Sequence, residues 1–361
     1  MSGVPHLEHL LTLSDDVGLI QHAIEIVPNR STGYCTDDVA RALIVALQRL
    51  QLEPEDEAAA RIATTCLAFL SDAQLPDGRF HNFMSYQRTW LDEVGTHDSC
   101  GRAMWALGYG LRYAPRAQWR RLCAAMLERA LPNIDWLEYP RAQAYAMLGL
   151  SHAGCAAGGP GPRLALQQLA DALVSSYARA RSDGWEWFEP VMTYDNARLC
   201  EALIRGGTVL GQVHAREAGL RTLGFLESVV FEAGIFVPIG NDGWYHRGER
   251  RARFAQQPLE AAAMVDAELA AFDATGETAH LRLAESAAAW YDGKNLLGVV
   301  MANGGGCYDG LEEGGPNRNM GAESTLAYLS AAYALAITRR LGKTASRGES
   351  ILDDNPGVRG T

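Results

Sequence analysis

Helical periodicity that comes in pairs of segments is the feature that most constrains the fold of this chain. Apolar residues recur at the three- to four-residue spacing of amphipathic helices, and strand-like alternation is scarce. The pattern therefore predicts helical hairpins. The predicted pairs are 36–50 with 55–70, 98–113 with 117–130, 140–157 with 162–181, 194–206 with 213–231 and 258–275 with 278–291, followed by a last helix over 322–340.

The two helices of each pair differ in composition. The first is rich in small residues, as in DSCGRAMWALGYGL, and the second carries more charge, as in RAQWRRLCAAMLERAL. Small side chains let backbones approach closely, as an inner layer requires, whereas a polar stripe suits an outer layer. The first helices recur at roughly 40 to 65 residues, which is typical of stacked supersecondary repeats. We predict an all-α (α/α)6 toroid, with helix 5–11 or the C-terminal tail as candidates for the sixth outer position.

The connections predict one domain with a single functional rim. No linker divides the chain, so we expect one toroid domain over 1–345 and a flexible tail over 346–361. The loops that lead from an outer helix to the next inner helix are long and aromatic, whereas the inner-to-outer links are short. Long loops in a compact domain are usually functional. They would gather at one rim, where the inner helices begin.

Charge and cysteine content exclude several classes of function. The 361 residues include 32 Lys+Arg and 43 Asp+Glu, for a formal charge of −11, so binding to nucleic acid would release no counterions. No long apolar run or signal-like N-terminus is seen, and we expect no membrane contact and a cytoplasmic location. An odd number of cysteines without a CxxC motif predicts buried core thiols rather than disulfides or zinc ligands. They are Cys35, Cys66, Cys100, Cys123, Cys155, Cys200 and Cys307.

Acidic residues recur at the starts of the predicted inner helices. These are Asp37, Asp38, Asp98, Asp195, Glu260 and Glu323, and Glu189 lies just before the fourth inner helix. Any one of them is explained by helix capping and the helix dipole. In a closed ring, however, all these helix starts would face one funnel, and crowding of like charges raises a carboxyl pKa as a general acid requires. Glycoside hydrolysis needs two carboxyl groups across a sugar ring. We predict the catalytic residues among Asp38, Glu189, Asp195 and Glu323, with Asp38 and Glu189 as the first pair.

Aromatic and polar side chains in the same loops predict sugar binding. An exposed ring can lie against the apolar face of a pyranose, and amide, imidazole or guanidinium groups can bind its hydroxyls; the arginines could equally pair with the surplus acids. The predicted substrate-binding residues are Arg30, Asp37, His81, His97, Asp98, Trp185, Trp187, Tyr194, Asn196, Trp244, His246, Gln257 and Asn317.

Metal and nucleotide motifs are missing from the sequence. The nine histidines form no HxH or HExxH pattern, and the Gly-rich segments match neither the P-loop nor the dinucleotide fingerprint. We therefore predict no metal site and no cofactor. His81, His97 and His246 are the histidines best placed to serve as acid and base in an epimerase.

Four segments resemble a known bacterial family. They are DDVGLIQHAIEIVPNRSTGYCTDDVARAL, LPDGRFHNFMSYQRTWLDEVGTHDSCGRAMWALG, WEWFEPVMTYDNARLCEALI and PNRNMGAESTLAYLSA. They are similar to members of the six-hairpin glycosidase-like superfamily that are described as glycosyltransferase-associated domains or lie near mannoside phosphorylases. The resemblance spans about 10–340 and implies the (α/α)6 toroid. The positions that match its motifs are Asp37, Asp38, Asp98, Glu189, Asp195, Asn196 and Glu323.

Residues and resemblance together predict a carbohydrate-active enzyme. The leading hypothesis is a metal-independent glycoside hydrolase that acts on mannosides or related oligosaccharides. The superfamily also holds epimerases, lyases and phosphorylases, and a fold does not fix a reaction. Two alternatives therefore stay open: a sugar epimerase or isomerase that uses His and carboxylate, and a non-catalytic glycan-binding domain that partners a glycosyltransferase.

Overall fold

The computed structural model describes residues 4–156 and 160–353, and helices dominate this part of the chain. In chain order the helices are α1 (Glu8–Leu13), α2 (Thr36–Leu52), α3 (Glu57–Ala73), α4 (His97–Tyr113), α5 (Ala117–Ala130), α6 (Pro140–Ala156), α7 (Pro160–Ala180), α8 (Ala197–Leu210), α9 (Val213–Val230), α10 (Pro258–Thr275), α11 (Thr278–Ala288) and α12 (Ala322–Asp353). Short 3-10 turns cover Arg30–Thr32 and Leu131–Trp136.

The even-numbered helices form a closed inner ring. Each of α2, α4, α6, α8, α10 and α12 packs against the next, and α12 returns to pack against α2. The helices α3, α5, α7, α9 and α11 each cover their hairpin partner from outside, and the short α1 packs on α12 as the sixth outer element. The hydroxyl of Tyr333 ties this last contact by donating to the Pro5 carbonyl at 2.9 Å. The predicted (α/α)6 toroid is confirmed.

Glycines bring α4 and α6 into close contact. A Cβ atom added to Gly108 would lie 1.9 Å from the Gly149 carbonyl oxygen, and one added to Gly149 would lie 2.2 Å from the Met104 carbonyl oxygen. Nearer the start of α4, a Cβ on Gly101 would lie 2.5 Å from the Ala142 carbonyl oxygen. The small residues of the inner helices thus allow backbone-to-backbone packing, as their composition predicts.

The strands are short and lie in the loops between hairpins. Within the described residues they form six two-stranded antiparallel ribbons: β1 (Ala23–Ile24) with β2 (Val27–Pro28), β3 (Tyr34–Cys35) with β4 (Phe83–Met84), β5 (Val191–Met192) with β8 (Tyr245–His246), β6 (Phe231–Glu232) with β7 (Ile235–Phe236), β9 (Ala302–Asn303) with β10 (Gly306–Cys307), and β11 (Gly310–Glu312) with β12 (Gly315–Asn317). The pairs β3–β4 and β5–β8 join loops that are distant in sequence, so they fix the rim where α2 and α8 begin.

The helix boundaries differ from the predicted ones at several places. Helix α8 begins at Ala197 rather than 194, because Asp195 has a left-handed backbone (φ 50°) that the helix cannot include. Helix α11 ends at Ala288, three residues early. Helix α12 continues to Asp353, through the first part of the segment expected to be a flexible tail. Residues 157–159, where a hairpin turn is expected, and 354–361 lie outside the described residues. The single domain over 1–345 stays a prediction.

The burial of the cysteines and the polarity of the helices agree with what the sequence composition predicts. Six cysteines are buried and unpaired, and the Cys155 side chain lies outside the described part. No helix in the described ranges is both long and apolar enough to span a bilayer.

Candidate active site

Acids from the first and last inner helices meet at the rim on one arginine. Arg41, in the second turn of α2, contacts Asp37 at 2.7 Å, Asp38 at 2.9 Å and Glu323 of α12 at 2.9 Å. The i+3 and i+4 spacing places Arg41 on the same helix face as Asp38 and Asp37. Its planar fork then reaches across the ring closure to Glu323. Residues 282 positions apart therefore share one site.

These acids line an open cavity of about 340 Å³, which we call the Asp38 cleft. Amide, imidazole and carboxyl groups from the long loops complete it. Its other lining residues include Gln21, His22, Cys35, Asn82, Gln257, Asp309 and Ser324. The cleft is rich in hydrogen-bonding groups and lies where the inner helices begin, as the sequence predicts for the rim.

Asp38 is the buried acid of this cleft. Its side chain is 6% exposed, and the Cys35 thiol donates to its Oδ2 at 3.1 Å. Burial, opposed by Arg41, raises the pKa of Asp38 to about 6. A carboxyl group with such a pKa is partly protonated near neutral pH, which suits a proton donor. Glu323, by contrast, is 44% exposed.

Asp309 organises the start of α12 beside Glu323. Its Oδ1 accepts from the Gly321 amide at 2.7 Å and from the Ser324 hydroxyl at 2.5 Å. Burial raises the pKa of Asp309 despite these bonds. The sequence analysis did not single out this residue, because it lies in a Gly-rich loop and not at a helix start.

Asp195 lies behind the cleft, inside the ring. Arg102 contacts its carboxylate at 2.9 Å and Arg198 lies 3.6 Å away, while the Tyr145 hydroxyl donates to it at 2.7 Å. Burial alone would raise the pKa of Asp195, but these cations and the hydroxyl outweigh it and hold the pKa below its usual value. Since Arg102 also contacts Asp37 at 3.1 Å, a chain of ion pairs joins Asp195 to the Asp38 cleft.

Glu260 supports the left-handed turn at Asp195. Its carboxyl group accepts hydrogen bonds from the backbone amides of Asp195 and Asn196. Burial and the neighbouring Asp195 raise the pKa of Glu260 to about 8. Glu260 and Asn196 therefore act as positioning residues for the α8 start. Asn196 itself contacts Arg141 and the Thr193 carbonyl.

A second rim cavity, of about 500 Å³, lies between the starts of α4 and α6 and is called the Glu189 cleft. Arg141 binds Glu189 at 2.6 Å, and the Tyr194 hydroxyl donates to Asp98 at 2.5 Å. His97 lines the same cleft and stacks on the Trp136 ring at 4.0 Å. Glu189 therefore lies with Asp98 rather than with Asp38, and the structure does not bring the first predicted pair into one cleft.

Several predicted binding residues lie elsewhere. Trp185 and Trp187 are buried, with 2% and 0% of their surface exposed, so neither offers a face to a sugar; both anchor their loop, and the Trp185 indole donates to the Glu189 carbonyl at 2.8 Å. Burying these large rings contributes more hydrophobic stabilisation than leaving them exposed in the loop would. Trp244 is half-buried, with its ring centroid 6.4 Å from that of Tyr194 and a left-handed backbone (φ 56°).

Of the remaining predicted histidines and polar residues, some line a cleft and others do not. His81 stacks on Trp90 at 4.8 Å and bonds to Asp92, so it stabilises the loop before α4. Gln257 lines the Asp38 cleft. Three predicted residues are exposed and line neither cleft. They are Arg30, whose guanidinium lies over the Tyr86 ring, His246 on β8 and Asn317 on β12.

Besides Asp309, the candidate-site residues that the sequence analysis missed are arginines. Arg41 and Arg102 hold the acids of α2 and α8 together, and Arg141 holds Glu189. The signal for Arg41 was present in the segment DDVAR, where arginine follows two acids by three and four residues. The partner of Arg102 lies 93 residues away, so no local pattern indicates it.

Solved structures with a similar fold cover nearly the whole chain. A cellobiose 2-epimerase from Bacillus thermoamylovorans is similar with a TM-score of 0.71 and 12% identity, over 92% of this chain and 96% of that chain. A D-mannose isomerase gives 0.65 and 13%, over 92% and 96%, and a GH76 α-mannanase from Bacteroides thetaiotaomicron gives 0.64 and 12%, over 93% and 95%. These likenesses establish the six-hairpin (α/α)6 fold. Neither protein-family models nor curated protein sequences give a match.

Proposed function

We propose that the chain is a carbohydrate-active enzyme that hydrolyses glycosides in the Asp38 cleft. The observation that carries the proposal is the contact of one guanidinium with both Asp38 and Glu323, at 2.9 Å each. Two carboxyl groups that contact neighbouring nitrogens of one guanidinium cannot be farther apart than the upper limit of about 9.5 Å that glycosidases use. The similar structures include enzymes of sugar metabolism, which agrees with this substrate class.

Asp38 and Glu323 differ in surroundings in the way that the two roles require. Burial raises the pKa of Asp38 to about 6, so it would protonate the leaving glycosidic oxygen. Glu323 is more exposed and paired with Arg41, so it would attack the anomeric carbon or activate water. Arg41 would orient both groups from the floor of the cleft. The earlier first pair, Asp38 with Glu189, is replaced here by Asp38 with Glu323.

The substrate we propose is a mannoside or a related oligosaccharide. Gln257, Asn82 and His22 line the Asp38 cleft and would bind sugar hydroxyls. Tyr194 and the half-buried Trp244 offer aromatic surface beside Asp98, next to the Glu189 cleft. The Glu189 cleft would then hold a second sugar unit, bound by the Arg141–Glu189 pair.

The test uses Asp38→Asn and Glu323→Gln, assayed on nitrophenyl glycosides and manno-oligosaccharides. We expect each variant to lower kcat/KM by about 10²- to 10⁴-fold, the usual contribution of a general acid or base. Wild-type kcat/KM should fall as the pH rises above about 6, because Asp38 must hold its proton. Glu313→Gln, in the exposed β11–β12 turn, is the matched control.

Two results would refute hydrolysis at this site. One is that the wild type releases no product from any substrate; if calorimetry then detects sugar binding without turnover, the glycan-binding alternative with a glycosyltransferase partner is favoured. The other is that both variants retain the full rate. Loss of activity in Asp98→Asn or Glu189→Gln alone would move the chemistry to the Glu189 cleft.

A sugar epimerase or isomerase is the second candidate, and one observation favours it. His97 lies in the Glu189 cleft with Asp98 and Glu189, so imidazole and carboxylate meet in one cavity. Such an enzyme would exchange a carbon-bound proton of a free sugar with solvent. Incubation of cellobiose or mannose in D2O should then give deuterated product, and His97→Gln should abolish the exchange. No label in the sugar would exclude this reaction for these substrates.

A further inference from the structure

Three side chains of metal-ligating type meet between the inner and outer helices, away from both clefts. Glu227 lies on α9, Glu268 on α10 and His280 on α11, and their ligand atoms all lie within 4.8 Å of one another. Glu268 is fully buried, while the His280 and Glu227 side chains are 15% and 24% exposed. None of the three lines the Asp38 cleft or the Glu189 cleft.

Two carboxyl groups in this cluster face a single imidazole, and the hydrogen bond to Glu268 raises the pKa of His280. His280 Nδ1 lies 2.6 Å from Glu268 and 4.0 Å from Glu227, and within the described ranges no arginine or lysine forms an ion pair with either glutamate. Oε1 of Glu268 and Oε1 of Glu227 are both buried without a hydrogen-bond partner. A buried carboxylate oxygen without a donor is costly. Burial raises the pKa of both glutamates, for Glu268 to about 7, and the one imidazole of His280 offsets this rise only in part.

We propose that Glu227, Glu268 and His280 form a binding site for one divalent transition-metal ion, with Zn²⁺ as the preferred ion. One imidazole nitrogen and two carboxylate oxygens suit Zn²⁺, Mn²⁺ or Co²⁺, whereas Ca²⁺ and Mg²⁺ favour oxygen ligands alone. An ion among them would satisfy both unpartnered oxygens. Binding would release the proton that His280 shares with Glu268. The partial exposure of Glu227 and His280 gives the ion an entry path and room for bound water.

The position of the site indicates a structural role. Glu268 belongs to an inner helix, Glu227 to the outer helix of the preceding hairpin and His280 to the outer helix of its own hairpin. One ion would thus join the fourth hairpin to the fifth. Glu268 lies two turns along α10 from Glu260, about 12 Å from the rim, so the metal would stabilise the ring without entering the reaction.

The experiment measures metal binding by the full-length protein after treatment with a chelator. We expect equilibrium dialysis with Zn²⁺ to give about one bound ion per chain. Bound Co²⁺ should give a d–d absorption spectrum typical of a site with one nitrogen ligand and oxygen ligands. Thermal unfolding should shift upward as Zn²⁺ is added, since the folded state alone presents the three ligands. Glu268→Gln, Glu227→Gln and His280→Gln should each weaken binding by at least about 100-fold.

Glu285→Gln is the matched control, because Glu285 is an exposed carboxylate on α11 that pairs with Arg339. The control should bind metal like the wild type. Failure of the wild type to bind Zn²⁺, Mn²⁺ or Co²⁺ would overturn the proposal and leave a carboxyl pair that shares a proton. Unchanged binding in all three ligand variants would also overturn it. The Co²⁺ spectrum of the wild type keeps the test decisive if a variant does not fold.

Discussion

Gly108 in α4 is the position where one added methyl group most directly tests how the inner ring packs. Its missing Cβ leaves space for the Gly149 carbonyl oxygen of α6, which a Cβ would approach to 1.9 Å. A carbon and a carbonyl oxygen ordinarily stay about 3.3 Å apart or more. In Gly108→Ala the two helices must therefore separate by more than about 1 Å. The methyl group is fixed to Cα and the Gly149 carbonyl is backbone, so neither group can rotate away.

The expected magnitude follows from two opposing effects. Alanine is favoured over glycine within a helix by about 1 kcal/mol. Overpacking a close contact costs about 1 to 3 kcal/mol, and a backbone clash belongs at the upper end. We therefore expect Gly108→Ala to lower the free energy of unfolding by about 2 kcal/mol. Circular dichroism during urea denaturation measures it.

Gly224→Ala, in the outer helix α9, provides the matched control. A Cβ at Gly224 would meet no atom within 4 Å, so this variant should gain up to about 1 kcal/mol. The opposite signs of the two changes separate ring packing from helix propensity. If Gly108→Ala is as stable as the wild type while Gly224→Ala behaves as expected, the close approach of α4 and α6 is refuted.

Three further predictions concern the ion-pair chain and the rim. Arg102→Leu should lower the free energy of unfolding by about 3 to 5 kcal/mol near neutral pH, because Asp195 stays buried and charged. Urea denaturation should show a smaller loss toward pH 5, since Asp195 of the variant takes up a proton more readily. A loss that does not change with pH would contradict this. Burial raises the pKa of Glu260 to about 8, above its value in the unfolded chain, so wild-type stability should fall as the pH rises from about 4.5 to 8. Glu260→Gln should lack that fall in a thermal melt, and a parallel pH profile would disprove the assignment. Trp244→Ala should weaken oligosaccharide binding in calorimetry with little change in melting temperature, because the ring is half-buried; an equal affinity would remove it from the binding surface.

The fold was predictable because its main determinants are local. Small residues mark the inner helices, charged stripes mark the outer ones, and polar caps mark several starts, such as Thr96, whose hydroxyl accepts from the Ser99 amide at 3.1 Å. The start of α8 was misplaced because a left-handed Asp195 interrupts an otherwise helical pattern. Its support, Glu260, lies 65 residues away and leaves no local signal.

The candidate site was predictable in outline but not in its pairing. Convergence of the helix-start acids follows from ring closure and is seen for Asp38 and Glu323. Which acids share a cleft depends on arginines that reach between helices, and Arg141 draws Glu189 into a separate cavity. Loop aromatics failed as a guide for Trp185 and Trp187, since sequence position alone cannot tell a ring that covers the core from one that faces solvent.

The docking of α12 on α2 has a consequence for how the protein is made. During synthesis, Asp38 and Arg41 leave the ribosome hundreds of residues before Glu323. The intermediate hairpins can stack as they emerge, yet the carboxyl pair comes into being only when the final inner helix closes the circle. Under the proposed function, activity in a nascent or truncated chain would therefore appear only once the ring is complete.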